Sequence, residues 1–417
     1  MGWLVHRRER GVPSDCHSSG LDDAAGDIQE VRYCAVPDER CLQGSGGSGG
    51  RRALMKVAFD HQIFAIQRYG GVSRYFFELA SRLPADTVSE VSVVAPFYMN
   101  AYLAAESARG FTHGKYVPYT FKGAPVLVEL ANQVAAPFVW SKSDADILHE
   151  TWHPFKPVGK ARRRVVTIFD MIHELFKPPM AKLAIAAKRA SVNRADHVIC
   201  VSESARNDLV RLYGIDPARA SVVHLACSLP VQENTTTVDS GGRRPTILYV
   251  GRRGGYKNFA TLLRAYSSSP VLRDFELIAF GGPPFLRDEQ KEISRLGVAD
   301  RVRFESGSDE ELAARYRTAA AFVYPSQYEG FGIPPLEAMS QGCPVVCSNA
   351  GGIPEVVADA GVFFDPDNPE ELRTVLERVV TTESLRADLR ERGYARLPAF
   401  SWDKNAAETA RIYREIL

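Results

Sequence analysis

The feature that most constrains the fold is an alternation that runs through the chain twice. From Met55 onward, short apolar runs take turns with longer amphipathic stretches. The first series holds KVAFD (56–60), VSVVAP (91–96), DILHE (146–150), RVVTIFD (164–170), HVICVS (197–202) and SVVHL (221–225). The second holds PTILYVG (245–251), FELIAFGG (275–282), RVRFES (301–306), AAFVYPS (320–326), CPVVCSN (343–349) and GVFFDP (361–366). Near-continuous apolar runs of this length read as strands covered on both faces. Between them lie helical patterns: Val72, Phe76, Leu79, Ala80 and Leu83 share one helix face. Strands alternating with helices imply parallel sheets and an α/β fold. The polar, aperiodic stretch VQENTTTVDSGGRR (231–244) separates the two series as an interdomain linker. Two α/β domains with a cleft between them are therefore expected, and open parallel sheets bind ligands beyond the carboxyl ends of their strands.

Residues 1–54 differ from the rest. They are polar, lack periodicity and end near GSGGSGG (44–50), so a disordered extension is expected there. Over the whole chain, 51 basic residues against 50 acidic ones leave a net charge of +1, which argues against a general nucleic-acid binder. No run of apolar residues is long enough for a transmembrane helix. Seven cysteines, at 16, 34, 41, 200, 227, 343 and 347, form no CxxC pair and read as reduced thiols of a cytoplasmic protein.

Three loops carry chemistry. In LYVGRRGGYKNF (248–259), Arg252 and Lys257 flank a glycine pair just after a strand and Gly251. Two cations on such a loop can converge on a diphosphate; an ordinary solvated loop is the plainer reading. In QRYGGVSRYFF (67–77), Gly70 and Gly71 precede a helix whose free N–H groups can meet a phosphate or a sugar; a tight turn explains the glycines equally well. In YPSQYEGFGIPPLEAMS (324–340), Glu329 stands in a loop beside Gly330, Phe331 and Gly332, and Glu337 stands eight residues later. Pro334 and Pro335 suit the first helical turn, and Glu337 is expected within that turn. Two carboxylates can accept hydrogen bonds from a sugar and a ribose, although a glutamate at a helix start is also simply a favourable charge.

Together these stretches resemble a known family. EGFGIPPLE (329–337) is similar to the E-x7-E signature of the retaining GT-B glycosyltransferases of the group-1, or family-four, class. GRRGGYKN (251–258) resembles its donor-phosphate loop, RVRFESGSDEEL (301–312) its base-binding segment, and NAGGIPEVV (349–357) its following glycine turn. FDHQIFAIQRYGGVSRY (59–75) resembles its amino-terminal glycine loop, and FSWDKNAAETARIYREIL (400–417) its closing helix. The resemblance spans Met55 to Leu417. It implies two Rossmann-like domains: an acceptor domain at 55–235, a nucleotide-sugar donor domain at 244–397, and a terminal helix at 398–417 returning to the first domain.

The resemblance also implies roles. Arg252 and Lys257 would neutralise the donor diphosphate, Glu329 would hold hydroxyls of the transferred sugar, and Glu337 would hold the ribose. The backbone of Gly251, Gly330, Phe331 and Gly332 would line the site, with Gly70 and Gly71 facing it from the other domain. A histidine near the donor sugar is common in the class. His149, His153 and His173 are candidates, with Asp170 beside them, and the sequence lacks the H-x-H spacing that would choose among them. The implied reaction is hexosyl transfer with retention, without cofactor or metal; the DPD at 365–367 sits late, before a helix. GRRGGYKNF with DMIHE (170–174) favours a mannosyltransferase-like member using GDP-mannose, with UDP- and dTDP-sugars left open. The acceptor would be a saccharide or lipid-linked saccharide of a bacterial surface polysaccharide. AKLAIAAKRASVNRA (181–195) is a candidate for peripheral contact with the inner leaflet of the cytoplasmic membrane. A GT-B nucleotide-sugar epimerase and a non-enzymatic sugar-binding protein remain alternatives.

Overall fold

A computed structural model describes residues 54–118, 121, 123–141, 143–231 and 244–417. The expected disorder of residues 1–53 and most of the expected linker, 232–243, lie outside the described residues.

Among the described residues, thirteen strands form two sheets. The first contains β1 (Met55–Asp60), β2 (Val88–Tyr98), β3 (Thr112–Tyr116), β4 (Ile147–Glu150), β5 (Arg163–Ile168), β6 (His197–Cys200) and β7 (Ala220–Val222), in the order β3-β2-β1-β4-β5-β6-β7. The second contains β8 (Thr246–Val250), β9 (Glu276–Phe280), β10 (Val302–Glu305), β11 (Ala319–Tyr324), β12 (Val345–Ser348) and β13 (Gly361–Phe364), in the order β10-β9-β8-β11-β12-β13. Neighbouring strands in both sheets are parallel. Each sheet thus reverses its strand order once, between β1 and β4 and between β8 and β11. Such switch points splay adjacent loops apart and open a crevice.

The helices that bear on the site are α1 (Gly71–Arg82), α2 (Ala124–Trp140), α3 (Ala181–Arg194), α4 (Glu203–Tyr213), α5 (Asp309–Thr318), α6 (Ile333–Ser340) and α7 (Trp402–Ile416). Helix α1 buries Tyr75, Phe76 and Leu79 on the first sheet, the face the 3.6-residue period predicts. Burial of each such side chain contributes roughly 1.5–3 kcal/mol. Helix α7 follows the second sheet in sequence yet packs on α1 and the first sheet: Tyr413 bonds His149, and Arg163 Nε donates to the Ile416 carbonyl at 2.7 Å. Among the described residues no helix is long and apolar enough to cross a membrane.

Candidate active site

The switch point of the second sheet brings two predicted residues together. Beyond β8 the chain turns at Gly251 (φ +121°) and Gly255 (φ +60°), conformations open to glycine at little cost. Arg253 is buried. It pairs with Glu289 at 2.9 Å and stacks over Phe285 at 4.8 Å, so it anchors the loop from beneath. The two arginines of the motif therefore divide the work: Arg253 is structural and Arg252 points outward. A short turn over Gly255–Lys257 then presents Lys257, whose Nζ stands 2.7 Å from Glu329 Oε1 of the loop after β11. Tyr256 and Tyr324 flank the ammonium, with ring centroids at 5.2 and 5.7 Å.

The backbone of Glu329 is held by the turn that follows β12. Gly352 N–H donates to the Glu329 carbonyl at 2.8 Å, and a Cβ on Gly351 would lie 2.3 Å from that same oxygen. Gly330 is packed against the other domain: a Cβ there would lie 1.7 Å from the carbonyl oxygen of Phe169. Ser202 Oγ, at the amino end of α4, donates to the Gly330 carbonyl at 2.6 Å. The Phe331 side chain is buried between His224 and Phe400, both at 5.8 Å. Gly332 (φ +136°) starts α6, whose second and third residues are Pro334 and Pro335. Glu337 is consequently the fifth residue, beyond the first turn where it was expected, because the helix already begins at Ile333. It groups with Tyr316, whose hydroxyl is 3.4 Å away. Burial raises its carboxyl to about 7, Asp309 pushes the same way, and Arg74 and Tyr316 oppose.

In the first domain, Gly71 begins α1 and has open space where a Cβ would stand. Gly70 makes room for Gln67, whose Oε1 accepts the N–H of Ser73 at 3.3 Å and caps the helix. The histidine candidates separate. His149 is a core residue: Nδ1 meets Tyr413 Oη at 2.5 Å, Nε2 meets Thr167 Oγ1 at 2.8 Å, and Phe59 and Phe76 pack on its ring. Burial holds its pKa down to about 3. Both ring nitrogens of this candidate are engaged by protein groups, one of them from the last helix. His153 stacks on Trp152 at 5.3 Å, and its Nδ1 is buried without a hydrogen-bond partner. Burial, with Lys188, Arg194 and His173 nearby, lowers it to about 3, so it is a neutral ring.

Asp170 and His173 belong to a segment that faces the loop after β8. Asp170 Oδ1 accepts the N–H of Ile172 at 3.0 Å, which starts the short helix Ile172–Phe176. Phe176 at its end packs on Tyr256, beside Lys257, at 5.3 Å and on Tyr328 at 6.4 Å. The basic residues of α3 divide between inward and exposed positions. Lys188 pairs with Glu174 at 3.0 Å, Arg194 pairs with Glu150 at 2.8 Å, and Arg189 lies over Tyr213 at 4.2 Å. Lys188 and Arg194 are thus held within the domain, while Lys182 and Arg189 of the stretch 181–195 are exposed.

Several tertiary contacts escape sequence reasoning, the first two of them between the domains. Arg74 of α1 pairs with Asp309 of α5 at 2.9 Å. Glu355, in the turn after β12, accepts from the Glu203 N–H at 2.8 Å and meets His224 Nε2 at 2.6 Å. At the first sheet's switch point, Asp60 Oδ1 accepts the Thr151 N–H at 3.1 Å, tying the ends of β1 and β4 together. Nothing in the spacing of these pairs distinguishes them from surface charges.

The chain is similar to known proteins. Residues 232–396 match the family described as Glycosyl transferases group 1, and residues 69–229 match Glycosyltransferase Family 4. Over 388 residues the chain is 30% identical to the D-inositol 3-phosphate glycosyltransferase of Streptomyces scabiei, covering 82% of this chain and 86% of that one. This chain belongs to the group 1 glycosyltransferases. Among its relatives is the O-antigen chain mannosyltransferase B of Escherichia coli, 28% identical over 82% of this glycosyltransferase and 96% of the relative. A solved structure of Anabaena Alr3699/HepE in complex with UDP and glucose aligns with a TM-score of 0.65 at 18% identity, over 86% of this chain and 99% of that one. At that identity the likeness is one of fold, and the fold is GT-B.

Proposed function

We propose that this glycosyltransferase moves a hexose, mannose in the first instance, from GDP-mannose to a saccharide or lipid-linked saccharide of a bacterial surface polysaccharide, with retention, in the cytoplasm. The observation that carries the reading is the Lys257–Glu329 pair at the switch point of the second sheet. A cation beside an acceptor of hydroxyl hydrogen bonds suits a ligand that is a diphosphate at one end and a sugar at the other. The relationship to the O-antigen chain mannosyltransferase supports mannose and a surface polysaccharide.

In the proposed step the acceptor hydroxyl oxygen forms a bond to the anomeric carbon on the face from which the diphosphate departs. The bond from that carbon to the phosphate oxygen breaks, and the hydroxyl proton passes to the departing phosphate. Lys257, with Arg252, stabilises the charge that develops on the diphosphate, which is the task a metal performs in other transferases. Glu329 holds sugar hydroxyls and Glu337 the ribose, so positioning supplies the rest. No cofactor or metal is required on this reading. Incubation with GDP-mannose and lipid-linked saccharide in the presence of a chelator tests it: an α-linked mannosyl product is expected. Consumption of donor without any acceptor, giving free epimerised sugar, would overturn it.

A further inference from the structure

Arg74 and Asp309 meet across the two domains at the amino ends of two helices. Arg74 is the fourth residue of α1, and its N–H donates to the Gly70 carbonyl at 2.9 Å, so it moves with the Gly70–Gly71 turn. Asp309 is the first residue of α5, and its Oδ2 accepts from Arg74 Nη2 at 2.9 Å. The guanidinium is oriented from behind. Its Nε donates to Tyr102 Oη at 3.2 Å, its Cζ lies 5.3 Å from the centre of that ring, and Tyr102 stacks on Phe77 at 5.8 Å. An arginine already held in this way loses little further freedom on pairing.

Helix α5 relays the contact to Glu337. Asp309, Ala313 and Tyr316 are spaced by four and three residues and so share one helix face, with Ala313 and Tyr316 buried. Tyr316 Oη stands 3.4 Å from Glu337 Oε2. The charges of Asp309 and Arg74 both act on the Glu337 carboxyl, and those of Glu337 and Arg74 both act on the Cys227 thiol. Arg74, Asp309, Tyr316, Glu337 and Cys227 therefore form one cluster drawn from both domains.

Other contacts between the domains are of a different kind. Ser202 donates to the Gly330 carbonyl, the Glu203 N–H donates to Glu355, and Phe176 packs on Tyr256 and Tyr328. Those contacts use backbone groups and rings beyond β5, β6, β11 and β12. The Arg74–Asp309 pair joins two side-chain ends, and the Asp309 side chain is 57% exposed. An exposed pair adds little to folding stability. What this one fixes is how the Gly70–Gly71 turn stands relative to Glu337.

We propose that Arg74 is a positioning residue for the donor: paired with Asp309, it holds the Gly70–Gly71 turn over a nucleoside diphosphate seated at Glu337. This rests on the assignment of Glu337 to the ribose, which it deepens by naming the first-domain residue that completes the nucleotide site. A direct bond from Arg74 to the donor phosphate is the competing reading.

The test is titration calorimetry of the full chain with GDP and with UDP. It compares wild type, Arg74→Met, Asp309→Asn and the charge-exchanged double variant Arg74→Asp/Asp309→Arg. Each single variant should weaken the nucleotide that wild type prefers by about fivefold or more, the scale of coupling between sites. The exchanged pair should bind within about threefold of wild type, because attraction between positions 74 and 309 is kept. The pH profile adds a readout that a merely structural role would not move. Arg74 favours the ionised Glu337 carboxylate and Asp309 disfavours it. The rise in affinity, centred at about 7 in wild type, should move to higher pH in Arg74→Met and to lower pH in Asp309→Asn. Burial pushes the Cys227 thiol up to about 11 and raises the Tyr316 phenol, so both stay neutral over this range.

Tighter GDP binding by Asp309→Asn would show Arg74 released to the phosphate and would overturn the proposal. So would an exchanged pair no better than the weaker single variant. The two readings fail separately. A wild type that prefers UDP, with the same pattern among the variants, sinks the guanine assignment alone. GDP binding that neither single variant changes sinks the role of Arg74 alone.

Discussion

Lys257 Nζ lies 2.7 Å from Glu329 Oε1, joining the loops that follow β8 and β11. The residue assigned to phosphate and the residue assigned to sugar hydroxyls are each other's partners. Each satisfies the other's charge in a partly buried place, where an unpaired ion is costly. On the proposed reading, an arriving diphosphate exchanges Glu329 for phosphate at Lys257 and frees Glu329 for the sugar. The site is thus poised by mutual pairing, with Tyr256 and Tyr324 limiting where the ammonium can go.

Lys257→Ala should lower kcat by a factor on the order of 10²–10³, the effect of removing a group that stabilises charge in the transition state. Lys257→Arg should restore part of it. Steady-state kinetics at saturating GDP-mannose check this, and an unchanged kcat in the alanine variant contradicts it.

Glu337 should govern nucleotide binding and its pH dependence. Ribose hydroxyls donate best to an ionised carboxylate, and this carboxyl is raised to about 7. Affinity for GDP should therefore rise as pH increases through about 7, and Glu337→Gln should flatten the profile. Glu337→Ala should weaken GDP by about 10- to 100-fold, the scale of a charged hydrogen bond. The same shift acts on the unliganded fold with the opposite sign. Between about 4.5 and about 7 the folded chain keeps a proton that the unfolded chain has released, so this group's contribution to stability declines as pH rises.

His149→Phe should cost stability rather than catalysis. The ring keeps its place among Phe59 and Phe76, but Tyr413 loses its partner and Thr167 loses one of two. Leaving buried polar groups unpaired costs about 1–3 kcal/mol. Urea unfolding should show that loss while turnover per folded molecule stays near wild type; a large fall in turnover would return His149 to the active site.

Gly330→Ala should separate the domains without unfolding either. The added methyl would overlap the Phe169 carbonyl of the other domain. Small-angle scattering should show an expanded particle, and kcat should fall by about 100-fold because donor and acceptor sites no longer meet in register. Normal activity with unchanged dimensions would show that the contact is dispensable.

The sheets were legible because their strands are covered on both faces, so runs such as ILHE in β4 and ILYV in β8 stand out by composition. Strand β3, with the sequence THGKY, escaped notice. It is an exposed edge strand held by backbone pairing to β2, and exposure leaves no apolar signature. The loop cations and glutamates were legible because glycines and prolines fix where Lys257 and Glu329 can be. Which arginine of the motif turns outward was not, since Arg253 is captured by Glu289, 36 residues further along the chain. Histidine roles depended on tertiary partners: His149 is sealed by Tyr413 from the last helix of the chain. The outer apolar row of α2 was overlooked because its helix carries only a narrow polar strip, Glu129, Asn132 and Gln133, and the inward pairing of Lys188 and Arg194 in α3 depends on acids elsewhere in the chain.

The central claim is that the second domain grips a donor by its diphosphate through Lys257 and by its hydroxyls through Glu329. Titration calorimetry of wild type and Lys257→Ala with GDP, GMP and free mannose tests it most directly. The account predicts that GDP binds more tightly than GMP, that free mannose shows no measurable binding, and that Lys257→Ala removes most of the advantage of GDP over GMP. Equal affinity for GDP and GMP in wild type, or an advantage that survives loss of Lys257, would contradict it.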